Sequence, residues 1–202
     1  MDNKLTKFLS GALGGAFDAT MSSFPGIAIA WGALKGGVSN IRTKRAEDFI
    51  LFIQNNFNLN YFNDENFIDG LAITFDSFLK QRNKNKREII KNIFLGFSGS
   101  ENKEEFEIER MYDIVYRISE KQIRLFIEIK KQKKIVILSQ EYGEIKNYNE
   151  NYDEYKYLEF LGLVAINQEK NIKTMYGGSQ IKEEEEVFIT DFGSNFIRFI
   201  LN

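Results

Sequence analysis

Residues 8–34 read FLSGALGGAFDATMSSFPGIAIAWGAL, and the fold turns on where this stretch is housed. Its 27 residues carry one formal charge, Asp18, with the only proline (Pro25), the only tryptophan (Trp31) and five of the fifteen glycines. Lys7 and Lys35 bound it, and Gly36-Gly37 follows. The rest of the chain is dense in Lys, Glu, Asn and Phe. A glycine-rich apolar arm on a charged body must be covered by a core, a protein partner or a lipid bilayer.

Ala19–Leu34 holds sixteen uncharged residues, short of the ~20 that span a bilayer as one helix. Pro25-Gly26 interrupts it midway. Two short helices meeting there, as a hairpin or re-entrant element, fit better than a single straight span. Gly11 and Gly15, then Ala12, Ala16 and Thr20, then Gly32 and Gly36 recur four residues apart. Small residues at that spacing share one helix face and admit a second helix at close range. Phe8, Phe17, Phe24 and Trp31 supply bulk. They serve either membrane and oligomer contact or burial against the chain's own helices. The start, MDNKLTKFL, sets Asp2 beside Lys4 and Lys7 and does not read as a secretory signal.

The chain has 202 residues, 43% of them hydrophobic, enough for one sizeable core. Net charge is -2, which argues against wholesale nucleic-acid binding. No cysteine means no disulfide and no thiolate metal site. No histidine removes the commonest general base and the usual zinc ligand. No cofactor or metal is expected, and the expected location is the cytoplasm, with recruitment to the inner membrane through the arm.

Composition divides the chain into an arm at 1–41, a helical body at 42–140 and an acidic unit at 141–202. In the body, Ala46, Phe49, Ile50 and Ile53 fall at helical spacing. Asn63 or Asp64 caps a second helix carrying Phe67, Leu71, Phe75, Phe78 and Leu79. A third runs from Lys86 to Phe97 and breaks at Ser98-Gly99-Ser100. Phe106–Ile118 forms a fourth, and Ser119 with Gln122 makes a capping box for a fifth through Ile129. In the acidic unit, a helix over Tyr152–Leu161 ends at Gly162. Leu163–Ile166 starts a strand, Gly177-Gly178 turns, Glu186–Thr190 returns, and Ser194–Leu201 is a last helix. The expected architecture is mainly α: a helical bundle with a glycine-rich apolar N-terminal helical hairpin and a small C-terminal winged-helix-like α+β unit.

A winged helix invites a DNA-binding reading, but residues 141–202 sum to -6 and the wing carries Glu183–Glu186. Phosphate contacts need Lys and Arg, so DNA is an unfavoured partner and a protein is preferred. Two basic clusters sit on the body. Lys80, Arg82, Lys84, Lys86, Arg87 and Lys91 form one; Lys130, Lys131, Lys133 and Lys134 form the other. The first is the candidate contact to an anionic surface; the bland alternative for both is a solvated helix end. Asp113 with Glu128 and Lys130 faintly imitates a metal-nuclease pattern, but on helices where that site needs a strand. Gly11–Gly15 lacks the Lys-Ser/Thr ending of a phosphate loop. No catalytic residue is assigned.

The order of arm, charged helix start at Arg42–Asp48, helical body and a C-terminal phrase from Tyr155 to Ile197, "YxxLExLGL…ITDFGxxFI", resembles the abortive infection alpha (Abi-alpha) family of bacterial and prophage proteins. The resemblance implies a role in phage defence and brings no catalytic residues. A homo-oligomer triggered by a phage or host protein would then perturb the inner membrane through Phe8, Gly11, Gly15, Phe17, Phe24, Pro25, Gly26, Trp31, Gly32 and Gly36. The rival expectation is a soluble protein-binding adaptor or phage-encoded inhibitor without membrane activity.

Overall fold

Helices lead and a sheet follows, as the change in apolar spacing along the chain predicts. The structure, a computed structural model, describes residues 40–57, 61, 64–101, 107–141, 143–175 and 178–201. Among them are seven helices and one four-stranded antiparallel sheet. The expected N-terminal hairpin lies outside the described residues. Two compact units divide between Tyr112 and Asp113.

The first unit contains α1 (Asn40–Asn56), α2 (Glu65–Lys80), α3 (Lys84–Ser98) and the start of α4 (Ile108–Arg117). Asp64 caps α2 by accepting the Phe67 N–H at 3.3 Å, and Asn83 caps α3 through the Lys86 N–H at 3.2 Å. Gly99 ends α3. The predicted apolar faces are buried except at Leu79, which is half-buried: Ala46, Phe49, Ile50 and Ile53 on α1, Phe67, Leu71, Phe75 and Phe78 on α2, and Ile90, Ile93, Phe94 and Phe97 on α3. Aromatic rings fill the seams. Phe49 lies 5.4 Å from Phe75 and 5.1 Å from Phe78, centroid to centroid, and Phe67 lies 5.3 Å from Phe94. Gly70 lets α2 and α3 close on each other, since a Cβ there would lie 2.2 Å from the Phe97 ring. Thr74 Oγ1 donates to the Gly70 carbonyl at 2.5 Å, so Tyr112 must donate its own proton to Thr74 Oγ1 at 2.6 Å. Burial drives the Tyr112 phenol far above its ordinary range.

The second unit continues through α4 into α5 (Glu120–Gln132), β1 (Lys134–Glu141), β2 (Glu144–Tyr148), α6 (Tyr152–Phe160), β3 (Val164–Met175), β4 (Gly178–Ile189) and α7 (Asp191–Leu201). The capping box forms in both halves: Ser119 N–H to Gln122 Oε1 at 2.8 Å, and Gln122 N–H to Ser119 Oγ at 3.1 Å. Strand order is β2-β1-β4-β3, all antiparallel. Ile137, Val187, Leu158, Leu163, Phe126, Ile129 and Phe196 are fully buried.

Three expectations change here. The helical body expected to reach residue 140 stops at Gln132; residues 134–141 are the strand β1, and residues 144–148 are β2. Ile135-Val136-Ile137 is a short β-branched run that periodicity cannot assign, and its pairing with Val187 and Glu186 on β4 decides it. The return strand runs twelve residues, more than twice the length expected, because each of its glutamates finds a partner. Glu183 meets Lys170 at 2.8 Å, Glu184 meets Lys182, Glu185 accepts from Tyr152 and Gln168, and Glu186 meets Lys134 at 2.7 Å. Finally, α7 begins at Asp191 rather than Ser194 because Thr190 caps it, accepting the Gly193 N–H at 2.9 Å.

Candidate functional site

The α2–α3 connection carries the basic residues expected to face an anionic surface. The sequence puts them there for a simple reason: α2 ends on Lys80, Asn83 caps the next helix, and its first turn follows at once. Their side chains do not act together. Lys80 is held by Asp76 at 2.5 Å. Arg87 turns inward, donating to the carbonyls of Gln81 at 3.2 Å and Arg82 at 3.0 Å while its guanidinium lies 5.7 Å from the Phe78 ring centroid. Lys91 bridges Asp48 at 3.6 Å and Glu88 at 3.3 Å, and its ammonium sits 5.6 Å from Phe52 and 5.3 Å from Phe78. Only 12% of the Lys91 side chain is exposed, so it tethers α1 to α3. Lys86 is half-buried, which leaves Lys80, Arg82 and Lys84 exposed, Lys80 in its pair with Asp76.

Beside Lys91 runs a groove of about 380 Å³ between α1 and α3. Asp48, Phe52, Asn92 and the exposed Leu51 and Leu95 line it. Its walls are mixed, with carboxylates and amides beside the two leucines.

In the second unit, strand register builds a row that periodicity could not reveal. Tyr148, Leu138, Glu185 and Gln168 stand opposite one another across all four strands. Glu185 is buried and accepts from Tyr152 Oη at 3.0 Å and Gln168 Nε2 at 2.9 Å. Burial raises the Tyr152 phenol, and the Glu185 charge adds to it. Tyr152 also stacks on Tyr148 at 5.6 Å and 27°, with the Lys156 ammonium 5.5 Å from its centroid. Tyr148 and Ile145 are more than half exposed, and Phe160 on α6 is 72% exposed. Tyr148, stacked on Tyr152, offers an exposed ring face suited to recognition.

The remaining candidates are plain. Asp113 pairs with Arg117 at 3.0 Å on α4, and Glu128 accepts from Gln132 at 2.9 Å on α5, both along their own helices. Lys130, Lys131 and Lys133 are exposed around the end of α5, while Lys134 is held by Glu186, which raises its pKa. Among the described residues, carboxylates do not gather in a metal-binding group. Among them, too, no helix is long and apolar enough to cross a membrane. Phe8, Gly11, Gly15, Phe17, Phe24, Pro25, Gly26, Trp31, Gly32 and Gly36 lie outside the described residues.

Comparison with known protein families, with characterised proteins and with solved structures finds no match.

Proposed function

We propose that this chain is a non-enzymatic phage-defence effector of the abortive-infection kind, with an Abi-alpha-like organisation. In this reading the helical body and the winged-helix-like acidic unit at 141–202 bind a phage or host protein. Binding frees the residue 8–34 arm, which self-associates through Gly11, Gly15, Gly32 and Gly36 as a helical hairpin and perturbs the inner membrane. The observation that carries it is the contrast between 27 residues with a single charge and a body that is otherwise densely charged. Burial of Phe8, Phe17, Phe24 and Trp31 at roughly 1.5–3 kcal/mol each supplies the drive for insertion. The same energy holds the arm at rest, so the trigger must bind one state better than the other.

Liposome leakage with and without infected-cell extract tests it directly. Leakage that depends on the extract is expected; defence that survives deletion of residues 1–41, with no leakage, sinks the idea.

A second reading is a soluble adaptor or inhibitor that acts by protein binding alone. The inward commitment of Arg87 and Lys91 favours it, because it withdraws two of the six basic residues of the cluster from an anionic leaflet. A detergent-free preparation whose arm resists protease would support the adaptor.

A further inference from the structure

The two edges of the sheet are unequal. β2 is five residues long, and the β1–β2 ladder is broken by an irregularity at Ser139-Gln140. Short, bulged edges resist further pairing. β3 is twelve residues long and pairs with β4 without a register break.

Which backbone groups of β3 face outward follows from two hydrogen bonds. The Thr190 N–H donates to the Leu163 carbonyl at 3.2 Å, in register with the β3–β4 ladder. Odd-numbered residues therefore face β4, and even-numbered ones turn their N–H and C=O away. Ile166 obeys this: its N–H donates outward to Glu159 Oε1 on α6, at 3.1 Å. Glu159 thus covers the beginning of the edge. Positions 168, 170, 172 and 174 continue it beyond α6.

We propose that this edge is a self-association surface, on which β3 of a second copy pairs antiparallel about a two-fold axis at Asn171. That register joins outward-facing positions to each other, 170 to 172 and 168 to 174, twice over by symmetry. It also sets position 169 of each copy opposite position 173 of the other, a glutamate against a lysine. Opposite charges directly across an antiparallel pair are favourable and like charges are not. An axis at Lys170 would set that lysine against itself. An axis at Ile172 would face Glu169 with Met175 and lose both charge pairs. In the Asn171 register Lys170 stands opposite Ile172 and meets no like charge. The occupant is a second copy because the complementarity is internal to β3. The pairing stands independently of the defence role.

Sedimentation equilibrium of the full chain tests it. A dimer is expected for the natural sequence. Glu169→Lys turns both charge pairs repulsive and raises the dissociation constant at least about tenfold. It leaves the fold intact, because within the chain Glu169 stands opposite another glutamate, Glu184. Lys173→Glu does the same, and the two reversals together restore the dimer. Ile172→Pro removes an outward N–H without costing the hairpin a ladder bond, and gives a monomer. Gly11→Leu with Gly15→Leu in the full chain leaves the dimer unchanged. A natural chain that stays monomeric overturns the proposal, as does a dimer that ignores both reversals but dissolves on the arm substitutions.

Discussion

Thr190 Oγ1 donates to the carbonyl oxygen of Gly162 at 2.7 Å and at the same time accepts the N–H of Gly193 at 2.9 Å. One hydroxyl ties the end of α6 to the start of α7, across the strands that separate them in sequence. Gly162 adopts φ 76°, the left-handed conformation that ends a helix without penalty. Thr190→Val is expected to cost about 2 kcal/mol, one part for the lost cap and one for the orphaned carbonyl. Thr190→Ser should recover most of it in urea unfolding.

Gly193 answers to a harder constraint. A Cβ there would lie 2.0 Å from the Leu163 carbonyl oxygen, a backbone atom with no freedom to retreat. At Gly70 the obstacle is the Phe97 ring, a side chain. Gly193→Ala should therefore lose about 3 kcal/mol or more, and Gly70→Ala roughly 1–3 kcal/mol. Equal losses in thermal unfolding would contradict the distinction.

Tyr112 predicts an alkaline weakness. Its pKa is raised above the ordinary 10.0 by burial. A raised value means that the folded chain holds the proton longer than the unfolded one. Stability is then complete below pH 10 and falls by roughly 1.4 kcal/mol per unit above it. Tyr112→Phe should cost about 1 kcal/mol at neutral pH and flatten that decline, as read from denaturant midpoints across pH 9–11.

Lys133 alone joins α5 to β1, and it does so at φ 69°, where a Cβ is unfavourable. Lys133→Gly is expected to stabilise the chain by about 1 kcal/mol despite the entropy glycine adds to the unfolded state. A lowered melting temperature would count against this.

The basic cluster separates into working and structural charges. Arg82→Glu with Lys84→Glu should abolish co-flotation with anionic vesicles, since each basic residue near such a surface is worth about 1 kcal/mol. Lys91→Met should leave flotation unchanged while retaining the packing on Phe52 and Phe78. The reverse pattern would put Lys91 at the surface.

The helices of the first unit were legible because their apolar residues repeat with the helical period and the Asp64 cap bonds within three residues, as the Ser119 cap does at the start of α5 in the second unit. The sheet was legible only in part. Leu163–Ile166 has a strand's composition, but β1 follows a lysine-rich helix end and β4 carries four glutamates, both poor strand signals. Their assignment depends on partners far along the chain: Lys134 for Glu186, Tyr152 for Glu185. The basic patch shows the same limit. Sequence grouped Arg87 and Lys91 with Arg82 and Lys84, whereas Phe78 and Asp48 draw the first two inward.

The run Glu183–Glu186 has a consequence for the chain before it folds. As a free segment it carries four negative charges in a row. Stacked copies of such a segment repel, so it cannot seed a fibril. In the finished sheet the same residues lie on an interior strand, three of them paired with lysines at 134, 170 and 182 and Glu185 held by Tyr152 and Gln168. The strand is thus unattractive to strangers and stable only among its own neighbours, a built-in guard against misassembly.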